Sequence, residues 1–195
     1  MAFVDLDGVG ATRWQRLFDD LEAEYDAAAA AELESEVATR ARGEMARLRL
    51  VDRLRPATGH PLVVQTAGSI TVRGTLSGVG PDWLLLTEGA GVEVLVPLAA
   101  VHSITGLGAR SMEPGSEGQV AARLALGHAL RGIARRRAAV AVTLADGSVV
   151  HGTLDRVGAD FVELAEHPPG EPRRSDAVRR VRTVPLWALA GVRTA

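Results

Sequence analysis

Arginine carries most of the chemistry this 195-residue chain can offer, because all 22 of its basic residues are Arg and none is Lys. Arg173, Arg174, Arg179, Arg180 and Arg182 fall in one short stretch, and Arg135, Arg136 and Arg137 form a run of their own. A guanidinium is permanently charged and grips phosphate or carboxylate through parallel N–H bonds. This set is therefore the candidate anion or nucleic-acid contact. The competing reading is a solvated loop, balanced by Glu166, Glu171 and Asp176, whose edge arginines discourage aggregation. No aromatic residues interleave with these arginines, as platforms for stacking single strands would require.

Residue types for catalysis are present without the spacing that catalysis needs. The histidines at 60, 102, 128, 151 and 167 form no i, i+4 pair and have no acid at metal-ligand distance. With no cysteine, disulfides and thiolate metal sites are excluded. Gly78-x-Gly80 and Gly106-x-Gly108 are turn glycines without a phosphate-binding fingerprint. The expectation is a protein that is not an enzyme, with no catalytic, cofactor or metal residues and no small-molecule ligand.

The elements that would carry these side chains are legible from an internal repeat. Val72-Arg-Gly-Thr-Leu-Ser-Gly-Val-Gly-Pro-Asp-Trp-Leu-Leu-Leu86 aligns with Val150-His-Gly-Thr-Leu-Asp-Arg-Val-Gly-Ala-Asp-Phe-Val-Glu-Leu164, eight of fifteen positions being identical. Val96-Pro97-Leu98-Ala99-Ala100-Val101 then matches Val184-Pro185-Leu186-Trp187-Ala188-Leu189, with ten extra residues inserted in the second copy. Each copy reads as a five-stranded antiparallel meander. Val140, Val142 and Leu144 alternate as a half-buried strand, and Asp146-Gly147 suits a tight hairpin with positive φ at both central residues. Gly74 and Gly152 mark a mid-strand bend or close backbone approach. Gly89-Ala90-Gly91 closes another hairpin, and Val-Pro-Leu-x-Ala sets up a short helical turn before the last strand.

Helical spacing precedes each meander. Met45, Leu48, Val51 and Leu54 lead to Pro56, and Val120, Leu124, Leu126, Leu130 and Ile133 lead to the Arg135–Arg137 run. Upstream, residues 12–38 form a separate helical pattern through Leu17, Leu21, Tyr25 and the Ala27–Ala31 run, able to continue into the helix at 41–55. Residues 1–36 hold ten acids against Arg13 and Arg16, a charge of −8, and the rest hold 14 acids against 20 arginines, a charge of +6. The arm can thus fold back on a basic body or meet a basic partner. The domains expected are an acidic helical arm (1–39), a first helix and β-barrel (40–106), a linker (107–117) and a second helix and β-barrel (118–195). The fold class is α+β, mainly β: an acidic helical arm followed by two repeats, each a helix plus a five-stranded small antiparallel β-barrel.

These residues resemble the Sm-like (LSm/Hfq-type) small β-barrel family. Val140-Ala-Val-Thr-Leu-Ala-Asp-Gly-Ser-Val-Val-His-Gly-Thr-Leu154 follows that family's first motif, and residues 62–76 follow it less closely. The resemblance implies a barrel duplicated in tandem. Its RNA-contact residues do not transfer. The family's Asp-then-Asn loop is Val79-Gly80-Pro81-Asp82-Trp83 in one copy and Val157-Gly158-Ala159-Asp160-Phe161 in the other, and Val-Pro-Leu replaces its Arg-Gly pair. Phe3-Val-Asp5-Leu-Asp7-Gly8 resembles the nucleophile motif of haloacid-dehalogenase-like phosphatases. Those enzymes need a parallel α/β sheet and a downstream cation, commonly Lys; the chain has no Lys, and a helix and barrels are expected in place of β-α alternation.

Trp83 and Leu85 form the candidate protein interface. Leu84 and Leu86 must face the core, so Trp83 and Leu85 face the other way, where the second copy has Phe161 and Glu163. A strand apolar on both faces is covered by something: the arm, the other barrel or another subunit. No apolar run is long enough for a bilayer and no membrane role is expected. Asp5 and Asp7 stand where a secretory signal would be basic, which points to the cytoplasm. The expectation is a cytoplasmic binding or assembly protein acting through protein contacts, self-association included. The alternative is a nucleic-acid-binding regulator that uses the Arg-rich loop.

Overall fold

A computed structural model describes residues 7–113, 115, 124–169, 173–174 and 177–194. It divides into two units, residues 1–47 and 48–195. In the first, α1 (Asp7–Met45) is one continuous helix of 39 residues. Its alanine run favours helix over other conformers, and pairs such as Arg40 with Glu36, 3.2 Å apart at i, i+4, support the exposed face.

The second unit is built on ten strands: β1 (Pro61–Thr66), β2 (Ile70–Val79), β3 (Trp83–Thr87), β4 (Glu93–Pro97), β5 (Val101–Thr105), β6 (Ala139–Leu144), β7 (Val149–Val157), β8 (Phe161–Glu166), β9 (Arg180–Pro185) and β10 (Leu189–Thr194). They form one antiparallel sheet in the order β5-β1-β2-β3-β4-β10-β6-β7-β8-β9. The same pairing scheme occurs on each side of the β4–β10 contact. In each half the second strand carries a register shift against the third, between Leu76 and Gly78 and between Leu154 and Arg156. In each, a 3-10 turn precedes the last strand, Leu98–Ala100 and Leu186–Ala188.

The two helix-plus-five-stranded barrels expected from the repeat are not what forms. The sheet is continuous and open, ending at β5 and β9. The reason lies in where the edge hydrogen bonds go. A strand has two edges; β4 gives one to β3 and the other to β10, where Leu95 opposes Val192 and Glu93 opposes Thr194. Neither half then closes on itself. The helical part also departs from expectation. Besides α1, the described residues hold only α2 (Leu50–Leu54) and α3 (Leu126–Arg136). Val120 lies outside the described residues.

Two cores form nonetheless. One gathers Leu54, Leu62, Val64, Leu76, Leu84 and Leu86, and the other Leu130, Val142, Leu154, Val162, Leu164 and Leu189. Leu54 of α2 and Leu130 of α3 are each fully buried, so each helix plugs the core of its own half. The mid-strand glycines act by close approach: a Cβ on Gly152 would lie 2.2 Å from the Ala165 carbonyl oxygen, and one on Gly74 would lie 2.7 Å from that of Thr87. The Asp146-Gly147 hairpin differs from the expected form. Only Gly147 has positive φ, at 87°, and Leu144 N–H closes a longer loop on Ser148 O. Asp146 instead accepts from the Ser148 N–H and hydroxyl, which sets the turn locally. Among the described residues no helix is long and apolar enough to cross a membrane.

Candidate functional site: the joint between the halves and the arginine clusters

Trp83 and Leu85 sit on the face of β3 that meets the second half, where both pack against that half's core with Leu95 of β4. Gly80 makes room for the ring, because a Cβ there would lie 2.2 Å from the indole nitrogen. The Trp83 indole N–H donates to Leu124 O at 2.7 Å. One residue earlier, Asp82 Oδ1 accepts the backbone N–H of Leu126 at 2.7 Å. The first N–H groups of a helix have no partner inside it, and Asp82 supplies one to α3 from a distant part of the chain. Glu88 and Arg193 add an ion pair across the joint. Beside these contacts lies a cleft of about 490 Å³, lined by Trp83, Leu85, Leu95, Ala129, Ile133 and Arg136 among others.

The arginines divide into two groups. Arg173 contacts Asp155 through Nη2 and Oδ2 at 2.7 Å, and the hydrogen bond and charge of Asp155 raise its pKa above the ordinary guanidinium value. Arg180 Nε donates to Glu166 Oε2 at 2.8 Å, and Arg182 Nε donates to the other oxygen of the same carboxylate. Burial works against the charge on Glu166, but the hydrogen bonds from Arg182 and Arg180 and their charges outweigh it. Its pKa is lowered. Three arginines of the loop are thereby held by acids of the sheet. Arg174, Arg179, Arg135, Arg136 and Arg137 are exposed. The last three finish α3, where Arg137 takes a left-handed φ of 52° as its C-cap, and cations suit that end of a helix dipole. Residues 170–172 and 175–176 of the loop lie outside the described residues.

Asp5 lies outside the described residues as well, and Asp7 opens α1 instead of ending a strand. His151 is exposed. His167 is buried, with Nε2 2.9 Å from Thr153 Oγ1 and Nδ1 3.0 Å from Pro168 O. A carbonyl can only accept, so Nδ1 carries a proton, and in the neutral ring Nε2 accepts from the Thr153 hydroxyl. Both ring nitrogens are spent on structure. Among the described residues no group of three or more His, Cys, Asp or Glu side chains could hold a metal ion.

The residue that sequence reasoning passed over is Asp82. Its signal was available, since an Asp follows Gly-x at the same place in both copies, but the helix it caps is 44 residues away. No family model, curated protein or solved structure matches the chain.

Proposed function

We propose that this chain is a non-enzymatic assembly protein that acts through protein–protein contacts, association with its own copies included. The observation that carries the reading is the unequal use of sheet edges. β4 and β10 are joined inside the chain, while the strands in the corresponding positions, β9 and β5, end the sheet. Open edges present unpaired N–H and C=O groups that readily accept another strand. Val181 on β9 is 57% exposed, so this edge offers apolar surface along with its backbone.

The same proposal treats the two halves as copies of one unit whose connectivity is similar to that of the Sm-like family. The repeated register shift and the 3-10 turn before each fifth strand support it. Absence of cysteine supports a cytoplasmic setting. The test is native mass at rising concentration, with a pull-down of partners before and after nuclease. The reading expects self-association or nuclease-resistant protein partners; a strict monomer that captures none would sink it.

A second reading, nucleic-acid binding, is favoured by one observation: Arg135, Arg136 and Arg137 stand exposed together at the end of α3. It expects binding to RNA or DNA that weakens steeply with salt and falls when these three become Ala. Absence of binding at low salt would rule it out.

A further inference from the structure

The joint between the halves uses one set of surfaces, and the chain carries a second set. At its α2 end Gly108 O already accepts from Arg53, and the Met112 N–H already donates to Asp52 O. At the joint β10 runs antiparallel to β4, Asp82 and Trp83 hold the start of α3, and Leu126 is only 7% exposed beneath them. Asp160 and Phe161 occupy the matching place in the second half. The equivalence is fixed by the main chain: Leu98 N–H donates to Asp82 O and Leu186 N–H to Asp160 O, while Gly80 N–H donates to Trp83 O and Gly158 N–H to Phe161 O. Asp160 is exposed and its carboxylate meets no partner among the described residues. On the other side, Leu50 precedes the buried Leu54 by four residues, as Leu126 precedes the buried Leu130. Leu50 is 42% exposed.

A paired change of charge says what covers these surfaces. In the joint, Leu85 and Ala129 line one cleft. The residue in the place of Leu85 is Glu163, since Leu85 stands opposite Leu95 and Glu163 opposite Thr183 in the same register. The residue in the place of Ala129, one before the buried leucine, is Arg53. Two apolar residues that line one cleft at the joint thus correspond to an acid and a base at the free ends. Arg53 donates through Nη2 to Gly108 O at 2.7 Å, while its Nε is buried without a hydrogen-bond partner among the described residues. Glu163 has Arg156 3.6 Å away, a cation 79% exposed and weakly held.

The geometry points to a second copy of this chain as the occupant: β9 of one chain runs antiparallel beside β5 of the next, Asp160 and Phe161 meet the start of its α2, and Glu163 faces its Arg53. This rests on the self-association reading and specifies its interface. Such a contact is head-to-tail, so it leaves a free edge at each end and adds further copies until a ring closes or a filament grows. Three parts of the joint have no match. Phe161 has no N–H to stand for the Trp83 indole donor. The start of α2 has its own cap, where Asp52 accepts the Arg49 N–H at 2.9 Å. The Glu88–Arg193 pair has no counterpart. Thr105 stands for Arg193, and Glu166, which stands for Glu88, is already held by Arg180 and Arg182. The contact between chains is therefore the weaker of the two.

The experiment is a charge exchange read by light scattering at rising concentration. Glu163→Arg and Arg53→Glu should each reduce the assembly to single chains, with circular dichroism unchanged. Their equimolar mixture should regain the wild-type mass, since each variant now matches the other at both ends. Asp160→Arg, on an exposed side chain, should reduce the mass even if Arg53→Glu fails to fold. Assembly that ignores all three substitutions, or a mixture of folded variants that stays single-chain, overturns this interface and leaves self-association standing. A wild-type chain that is single at every concentration overturns both.

Discussion

Asp82 and Asp160 follow the same Gly-x pair and precede an aromatic ring, yet only Asp82 has a helix start within reach. Losing an oxygen that caps a helix costs about 0.5–2 kcal/mol, so Asp82→Ala should destabilise by that amount in urea unfolding. Asp160→Ala, measured in dilute solution, should change stability by less than about 0.5 kcal/mol. Equal effects would mean that the cap contributes nothing. Glu166 has a lowered pKa, so its pairing with Arg182 and Arg180 stabilises the fold fully above the ordinary value of 4.5. That contribution drains away as pH falls below 4.5 through the folded pKa. Glu166→Gln should be less stable than wild type at neutral pH, and the gap should shrink in acid. A gap independent of pH between 3 and 7 would contradict the assignment of charge.

At the scale of elements, the mid-strand glycines set how closely β2 and β7 approach their neighbours. A Cβ on Gly152 would lie within 2.2 Å of a carbonyl oxygen, against 2.7 Å at Gly74. Backbone cannot yield as a side-chain tip does, and overpacking of this kind costs roughly 1–3 kcal/mol. Gly152→Ala should therefore destabilise more than Gly74→Ala, as thermal unfolding of the two variants would read. These two glycines were legible in the sequence, because glycine inside an alternating strand has few other uses. The strand alternation was legible as well, since in β6 Val140 and Val142 are buried while Ala139, Ala141 and Thr143 are only partly so. The helices were less so. The pattern Met45, Leu48, Val51, Leu54 reads as one helix, yet α1 ends at Met45, which is 56% exposed, and α2 starts afresh at Leu50. Periodicity records which residues are apolar, and it does not say which of them a core will reach.

At the scale of the whole molecule, the question is what couples the halves. The Glu88–Arg193 pair is partly exposed, and such pairs contribute about 0–1 kcal/mol. Leu95 belongs to β4 of the first half but is 2% exposed within the core of the second. Removing its side chain should cost about 2–5 kcal/mol. Leu95→Ala should thus weaken the molecule far more than Arg193→Ala, and the reverse order in denaturant titrations would show the joint to be electrostatic. Because one core borrows a residue from the other half, residues 48–195 should unfold in a single transition in wild type. A split into two transitions is expected first in Leu95→Ala.

The sequence by itself determined the strands, the places where they turn and the glycines between them, because these follow from alternation and from residue preferences read over a few residues. It also located the outward apolar pair Trp83 and Leu85 by the parity of a strand. Only the tertiary structure decided that the strands form one open sheet. Whether β4 bonds β10 or closes its own half is a choice between edges that present the same backbone groups, and backbone groups carry no residue identity. The same holds in part for the arginines: their number and a balancing role for Glu166 were plain, but that Glu166 takes Arg180 and Arg182 together, and that Asp155 of β7 holds Arg173, only the folded chain decides.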